Sequence, residues 1–182
     1  MQFSAAFLRD SCRIIEQLSV DALEETAHAI AAVRERGGRL FFAGSGGGAG
    51  HASHAACDFR KLGGIEAYCV SDNVSELTAR INDDGWDTSY ANWLRASRFN
   101  GDDALFVFSV GGGDAARGIS ANLVNAMALA RGVGAPILGI AGRDGGTLGE
   151  WAKVWIQVPT VDESAVTPQT EGFQALLWHL LV

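Results

Sequence analysis

A disulfide framework, a basic face and a membrane-length apolar run are all missing from this chain of 182 residues. Its three cysteines, Cys12, Cys57 and Cys69, are odd in number, scattered and without a Cys-x-x-Cys pair. That argues against stapling by disulfides and predicts a reducing, cytoplasmic setting. Lys and Arg number 14 against 21 Asp and Glu, a net charge of −7. Such a balance excludes a general nucleic-acid or anionic-membrane binder, which needs a basic surface. A small anionic ligand is still allowed, because a few local amides or cations override the global sign. No window approaches ~18 uninterrupted apolar residues, and Met1–Asp10 has no basic stretch leading into an apolar one. Neither a membrane span nor a signal peptide is therefore expected.

What is present reads as one globular domain over 1–182, with 48% apolar and 19% charged residues. Residues 1–37 form a helical pair, with helices at 4–17 and 20–36; Leu23, Ala27, Ile30 and Val33 recur at helical spacing in the second. Residues 38–182 alternate. Strands are expected at 39–43, 66–70, 104–109, 136–141 and 154–158, and helices at 50–61, 74–82, 87–97, 115–132 and 168–181. Short apolar strands separated by helices predict an α/β fold with a five-stranded parallel sheet covered on both faces. The leading helices have no sheet partner of their own, so they pack on another subunit or cap the domain. The acidic, Ser/Thr/Pro-rich stretch 159–170 reads as a loop or lid edge.

Glycine concentrates where two strands end. The run Gly44-Ser45-Gly46-Gly47-Gly48-Ala49-Gly50 follows the first strand, and Ser109-Val110-Gly111-Gly112-Gly113-Asp114 ends the third. Glycines here let backbone approach a ligand and free amides to face an anion at a following helix. The first run also loosely fits a dinucleotide fingerprint, with Glu66 near the customary acidic position. A nicotinamide enzyme needs only one such loop, whereas two point to a ligand held by both. A third turn, Gly142–Gly146, either lines the same edge or is a plain turn with Asp144 capping the next helix.

His54 and Asp58 stand four residues apart on one helix face, a spacing that serves a divalent metal, acid–base chemistry or a merely satisfied histidine. The last helix carries Glu171 and His179, with Gln174 between them and His179 inside an apolar run. His51 reads equally well as loop surface.

These residues, with Ser71-Asp72, Asn82-Asp83, Gly142-Arg143-Asp144-Gly145-Gly146 and Thr167, stand in an order that resembles the sugar isomerase (SIS) family. Within it the chain is most similar to phosphoheptose isomerases. The resemblance implies a SIS fold, a helical pair that builds a homotetramer, and aldose–ketose isomerisation of a sugar phosphate, sedoheptulose 7-phosphate above all. It implies Zn2+ held by His54, Asp58, Glu171 and His179, with Asp58 as base and His179 as partner acid. Ser45, Gly46, Gly47, Gly48, Ser109, Gly111, Gly112, Gly113 and Asp114 would bind the phosphate end, and Asn82 and Asp83 the sugar hydroxyls. The chain departs from the family at four places. Asp58 replaces a Glu, withdrawing the carboxylate by about one C–C bond. Glu171 replaces a neutral Gln, Gly48 replaces a serine, and only Ser109 survives of a hydroxyl-rich second loop. Asp114 beside a phosphate would be unfavourable unless it turns away to cap the helix expected at 115–132. The alternative within the family is a non-catalytic module that senses a phosphosugar or binds a protein partner.

Overall fold

Strands buried on both faces need no polar alternation, and the apolar runs become strands accordingly. The computed structural model describes residues 2–182 and contains β1 (Leu40–Gly44), β2 (Ala67–Cys69), β3 (Ala104–Ser109), β4 (Ile137–Ala141) and β5 (Val154–Gln157). All pair in parallel, in the order β2-β1-β3-β4-β5. The chain leaves β1 for the edge at β2 and then returns to β3 on the other side. The carboxyl ends of β1 and β3 therefore flank the switch point where open α/β sheets bind ligands.

Among the described residues, eight α-helices surround the sheet: α1 (Phe3–Gln17), α2 (Val20–Glu35), α3 (Gly47–Lys61), α4 (Val74–Asp84), α5 (Ser89–Ala96), α6 (Ala121–Gly132), α7 (Gly146–Trp151) and α8 (Val166–Leu181). Alternation along the strands divides the interior in two. Phe42, Phe106 and Phe108 meet α2, α3 and α8 on one face, while Phe41, Leu105 and Val107 meet α5 and α6 on the other. The leading pair does cap the domain. Leu23, Ile30 and Val33 of α2 enter the first core, and α1 is tied to α8 through Ser11 Oγ donating to Gln169 Oε1 at 3.1 Å. Phe3, Leu8 and Ile15 of α1 remain exposed. Among the described residues no helix is long and apolar enough to cross a membrane.

Two helix boundaries differ most from expectation. α3 starts at Gly47 rather than 50, because a side chain at Gly44 would meet the Gly48 backbone 2.3 Å away and only glycine lets the helix begin so soon after the strand. α6 starts at Ala121, not 115. Residues 114–119 instead form an arm closed by an antiparallel bridge between Asp114 and Ile119, with Gly118 and Ser120 at positive φ. The short α7 follows the Gly142–Gly146 turn and had no range in the expected helices, since two glycines open it; Asp144 accepts from its first amide, Gly146 N, at 3.1 Å.

Candidate functional site

The first glycine loop is braced from behind. Gly46 turns the chain at φ +58°. Tyr90 on α5 donates its hydroxyl to Gly44 O at 2.8 Å, and Asn122 on α6 donates to Ser45 Oγ at 3.1 Å. Burial pushes the Tyr90 phenol up, so it stays a donor. Gly48 lies against β3, where a Cβ would meet Phe108 O at 2.8 Å. Its glycine is thus demanded by helix–sheet contact, whatever the ligand.

The second loop is braced by its neighbour. Ser109 Oγ accepts from Gly112 N at 3.0 Å. The carbonyls of Gly112 and Gly113 then accept from Leu148 and Thr147, two amides in the first turn of α7, at 3.0 Å each. The approach is so close that a Cβ on Gly112 would sit 1.6 Å from Gly145 O. The amides of Gly111 and Gly113 have no acceptor among the described residues. Asp114 turns away from the loop. Its carboxylate pairs with Arg117 at 2.6 Å and accepts from the Arg117 amide, and that guanidinium holds the carboxyl below its usual range. It caps the turn of the arm, since the helix it was expected to cap begins only at Ala121.

α8 lies across the carboxyl edge and joins the two loops. Gln174 is fully buried and donates to Ser109 O at 3.0 Å and Ile140 O at 3.1 Å. Thr170 fills the space over Gly142. Between α8 and α3 gather three of the chain's four histidines. His51, His54 and Asp58 share one face of α3, at spacings of three and four. His54 Nε2 stands 3.7 Å from Asp58 Oδ2, and the rings of His54 and His179 lie edge to face at 5.4 Å. One ligand atom from each of His54, Asp58 and His179 falls within 4.8 Å of the others. His179 Nδ1 meets Ala175 O at 2.6 Å; a carbonyl only accepts, so Nδ1 carries a proton and Nε2 is the ring nitrogen left over.

Glu171 lies outside this group. A Cβ built on Gly47 would be 2.5 Å from its carboxylate, which therefore rests on the first turn of α3. Beneath it the half-buried His51 is pushed down by burial and partly restored by Glu171. Asn82 and Asp83 sit in the last turn of α4, exposed and hydrogen-bonded to each other at 2.8 Å. His51, Tyr90, Asn122 and Gln174 were not singled out for these positions by sequence. The i, i+3, i+7 spacing on α3 could have found His51; the others are brought in by tertiary packing.

A parallel sheet covered on both faces, with two glycine loops at its switch point and a titratable cluster between α3 and α8, defines a ligand-binding α/β domain of the sugar-isomerase type. The SIS domain family profile matches residues 3–142, and the chain belongs to that family. It is 34% identical over 184 residues to the lincomycin biosynthesis protein LmbN of Streptomyces lincolnensis, covering 96% of this chain and 65% of that protein. It is 31% identical to a phosphoheptose isomerase of Rhodospirillum rubrum, covering 88% and 82%. The structure of phosphoheptose isomerase from Neisseria gonorrhoeae superposes with a TM-score of 0.85 at 26% identity, over 98% of this chain and 94% of that one.

Proposed function

We propose that this chain is an aldose–ketose isomerase of sugar phosphates, with sedoheptulose 7-phosphate to heptose 7-phosphate as the first reaction to test. The observation that carries this reading is the His54, Asp58 and His179 group, held between α3, which follows the first glycine loop, and α8, which is pinned to the second. The phosphoheptose isomerases among its relatives support it. Two imidazoles and a carboxylate within 4.8 Å suit a divalent ion such as Zn2+, and these three residues would hold it. When bound, the ion would polarise the sugar's carbonyl and hydroxyl oxygens.

Asp58 removes the proton from the carbon beside the carbonyl, leaving a cis-enediol, and returns it to the neighbouring carbon. His179, its Nδ1 proton committed to Ala175 O, offers only Nε2: as imidazolium it serves there as the partner acid, and as neutral imidazole it would hold the ion instead. Holding an ion and moving a proton compete for Asp58, so exchange is measured with and without Zn2+. The protein acts in the cytoplasm as a homotetramer, with the exposed apolar residues of α1 available for assembly.

The test is incubation with a panel of ketose and aldose phosphates in D2O, followed by NMR. Deuterium at C1 or C2 is expected, and Asp58→Asn abolishes it. No exchange with any sugar overturns the reading, and wild-type exchange in Asp58→Asn overturns the assignment of the base.

A further inference from the structure

We propose that this chain carries a second ligand site, at the amino edge of its sheet, where Arg36, Arg131 and Lys153 take a diphosphate group, free or carried on a nucleoside. The two edges of the sheet differ in sign. The cleft at the carboxyl edge, of about 1270 Å³, is lined by four acids, Asp114, Asp144, Glu150 and Glu163, and two cations, Arg117 and Arg143. A second cleft of about 660 Å³ opens where β3, β4 and β5 begin, and there three cations face one acid, Asp102. The chain as a whole has 14 Lys and Arg against 21 Asp and Glu, so this concentration runs against its composition. Among the described residues none of the three cations pairs with a carboxylate.

The two arginines are steadied without being used up. Arg36 donates from Nε to Asp102 O at 2.7 Å and from Nη2 to Asp103 O at 3.4 Å, which fixes the guanidinium and leaves Nη1 for a ligand. Arg131 lies over the Trp151 ring, its Cζ 4.6 Å from the centroid, and no hydrogen bond among the described residues takes its donors. Nor do the helix ends need these charges. α2 and α6 both finish here, but their last carbonyls accept from main-chain amides: Val33 and Arg34 from Gly38 and Gly37, Ala130 and Arg131 from Ala135 and Gly134. Gly101 also lines the cleft, and its amide has no acceptor among the described residues. The cations come from three separate elements, the end of α2, the last turn of α6 and the residue before β5. That arrangement matches an anion with several charged oxygens, since guanidinium and ammonium donors bind phosphate oxygens by charge-assisted hydrogen bonds. Asp102 opposes such an anion through its exposed carboxylate. The inference is independent of the isomerase reading, because none of these residues lies at the carboxyl edge.

Sodium pyrophosphate titrated into metal-free, 15N-labelled protein tests this, with sodium chloride at matched ionic strength as the blank. The amide signals of Gly101 and Gly134 and the indole N–H of Trp151 are expected to shift with pyrophosphate and not with chloride. A parallel titration with ADP identifies a nucleoside diphosphate if it binds more tightly, and free pyrophosphate if it does not. In the double variant Arg131→Gln, Lys153→Gln the affinity read at these signals falls roughly tenfold or more. Arg36→Gln, which leaves α6 and α7 untouched, weakens it as well, and Asp102→Asn strengthens it. The signals of Gly111 and Gly113 report the other edge and respond alike in wild type and variants. No shift at Gly101, Gly134 and Trp151 with either ligand, or an equal shift with chloride, overturns the site. Unchanged affinity in both the double variant and Arg36→Gln overturns the assignment of its cations. An equal fall at Gly111 and Gly113 overturns it too, since the substitutions would then act through the fold.

Discussion

The two glycine loops look alike in sequence and are built for different reasons. In the first, a helix starts almost at once, and the glycines admit what presses on it: the Phe108 backbone against Gly48 and the Glu171 carboxylate against Gly47. In the second, the helix is delayed by the 114–119 arm, and the glycines admit another loop, backbone against backbone at Gly145 and Gly146. One loop meets both main chain and, at Gly47, a side chain that can move; the other meets main chain that cannot. A glycine run therefore reports close approach, and only the approaching atom reveals its purpose.

The sharpest way to break this contrast is Gly112→Ala. Its Cβ meets Gly145 O at 1.6 Å, with φ at +73°, so a loss of about 3 kcal/mol or more is expected in denaturant unfolding. The braces come next. Gln174→Ala strips donors from two strand-end carbonyls and should cost about 2–3 kcal/mol, whereas Tyr90→Phe removes one donor behind the first loop and should cost about 1–2 kcal/mol.

Acid separates the loops more gently. His51 is lowered from 6.5 in the folded state, first by burial, so the folded protein binds that proton less readily than the unfolded chain. Its contribution to stability is present above pH 6.5 and fades as pH falls through the lowered value. Asp114 is lowered from 3.8, first by its hydrogen bond to Arg117, so its contribution is complete above 3.8 and fades only in stronger acid. Between pH 7.5 and 5.5, metal-free wild type should lose more thermal stability than His51→Asn, with the 114–119 arm unaffected. The smallest effect should be a gain. Gly50→Ala places its Cβ in open space on α3 and should stabilise by about 0.5–1 kcal/mol. A loss there would mean that the backbone limit at Gly44 and Gly48 extends a turn further into α3.

The sheet was legible because strands buried on both faces announce themselves: Leu105, Phe106, Val107 and Phe108 are all fully buried. The arm was not. Ala115, Ala116 and Arg117 favour helix locally, but the bridge from Asp114 to Ile119 and the turn at Gly118 override them. α7 escaped notice because carbonyls more than 30 residues earlier satisfy its amino end. In the site, His54 and Asp58 were readable from local spacing, and the resemblance supplied His179. Glu171 was placed with them by resemblance, but it lies eight residues before His179, about 12 Å along the axis of α8, and its carboxylate rests on Gly47. Longitudinal position along a helix is visible in sequence; what waits beside it is not.

Gln174 gives α8 a fulcrum. Pinned to the ends of β3 and β4 by both hydrogens of one amide, the helix carries Glu171 on one arm and His179 on the other. A tilt about that point would swing the carboxylate and the imidazole in opposite senses. Leu176 and Leu180 stay exposed on α8, so the helix that carries both groups is open to contact on either side of the anchored amide.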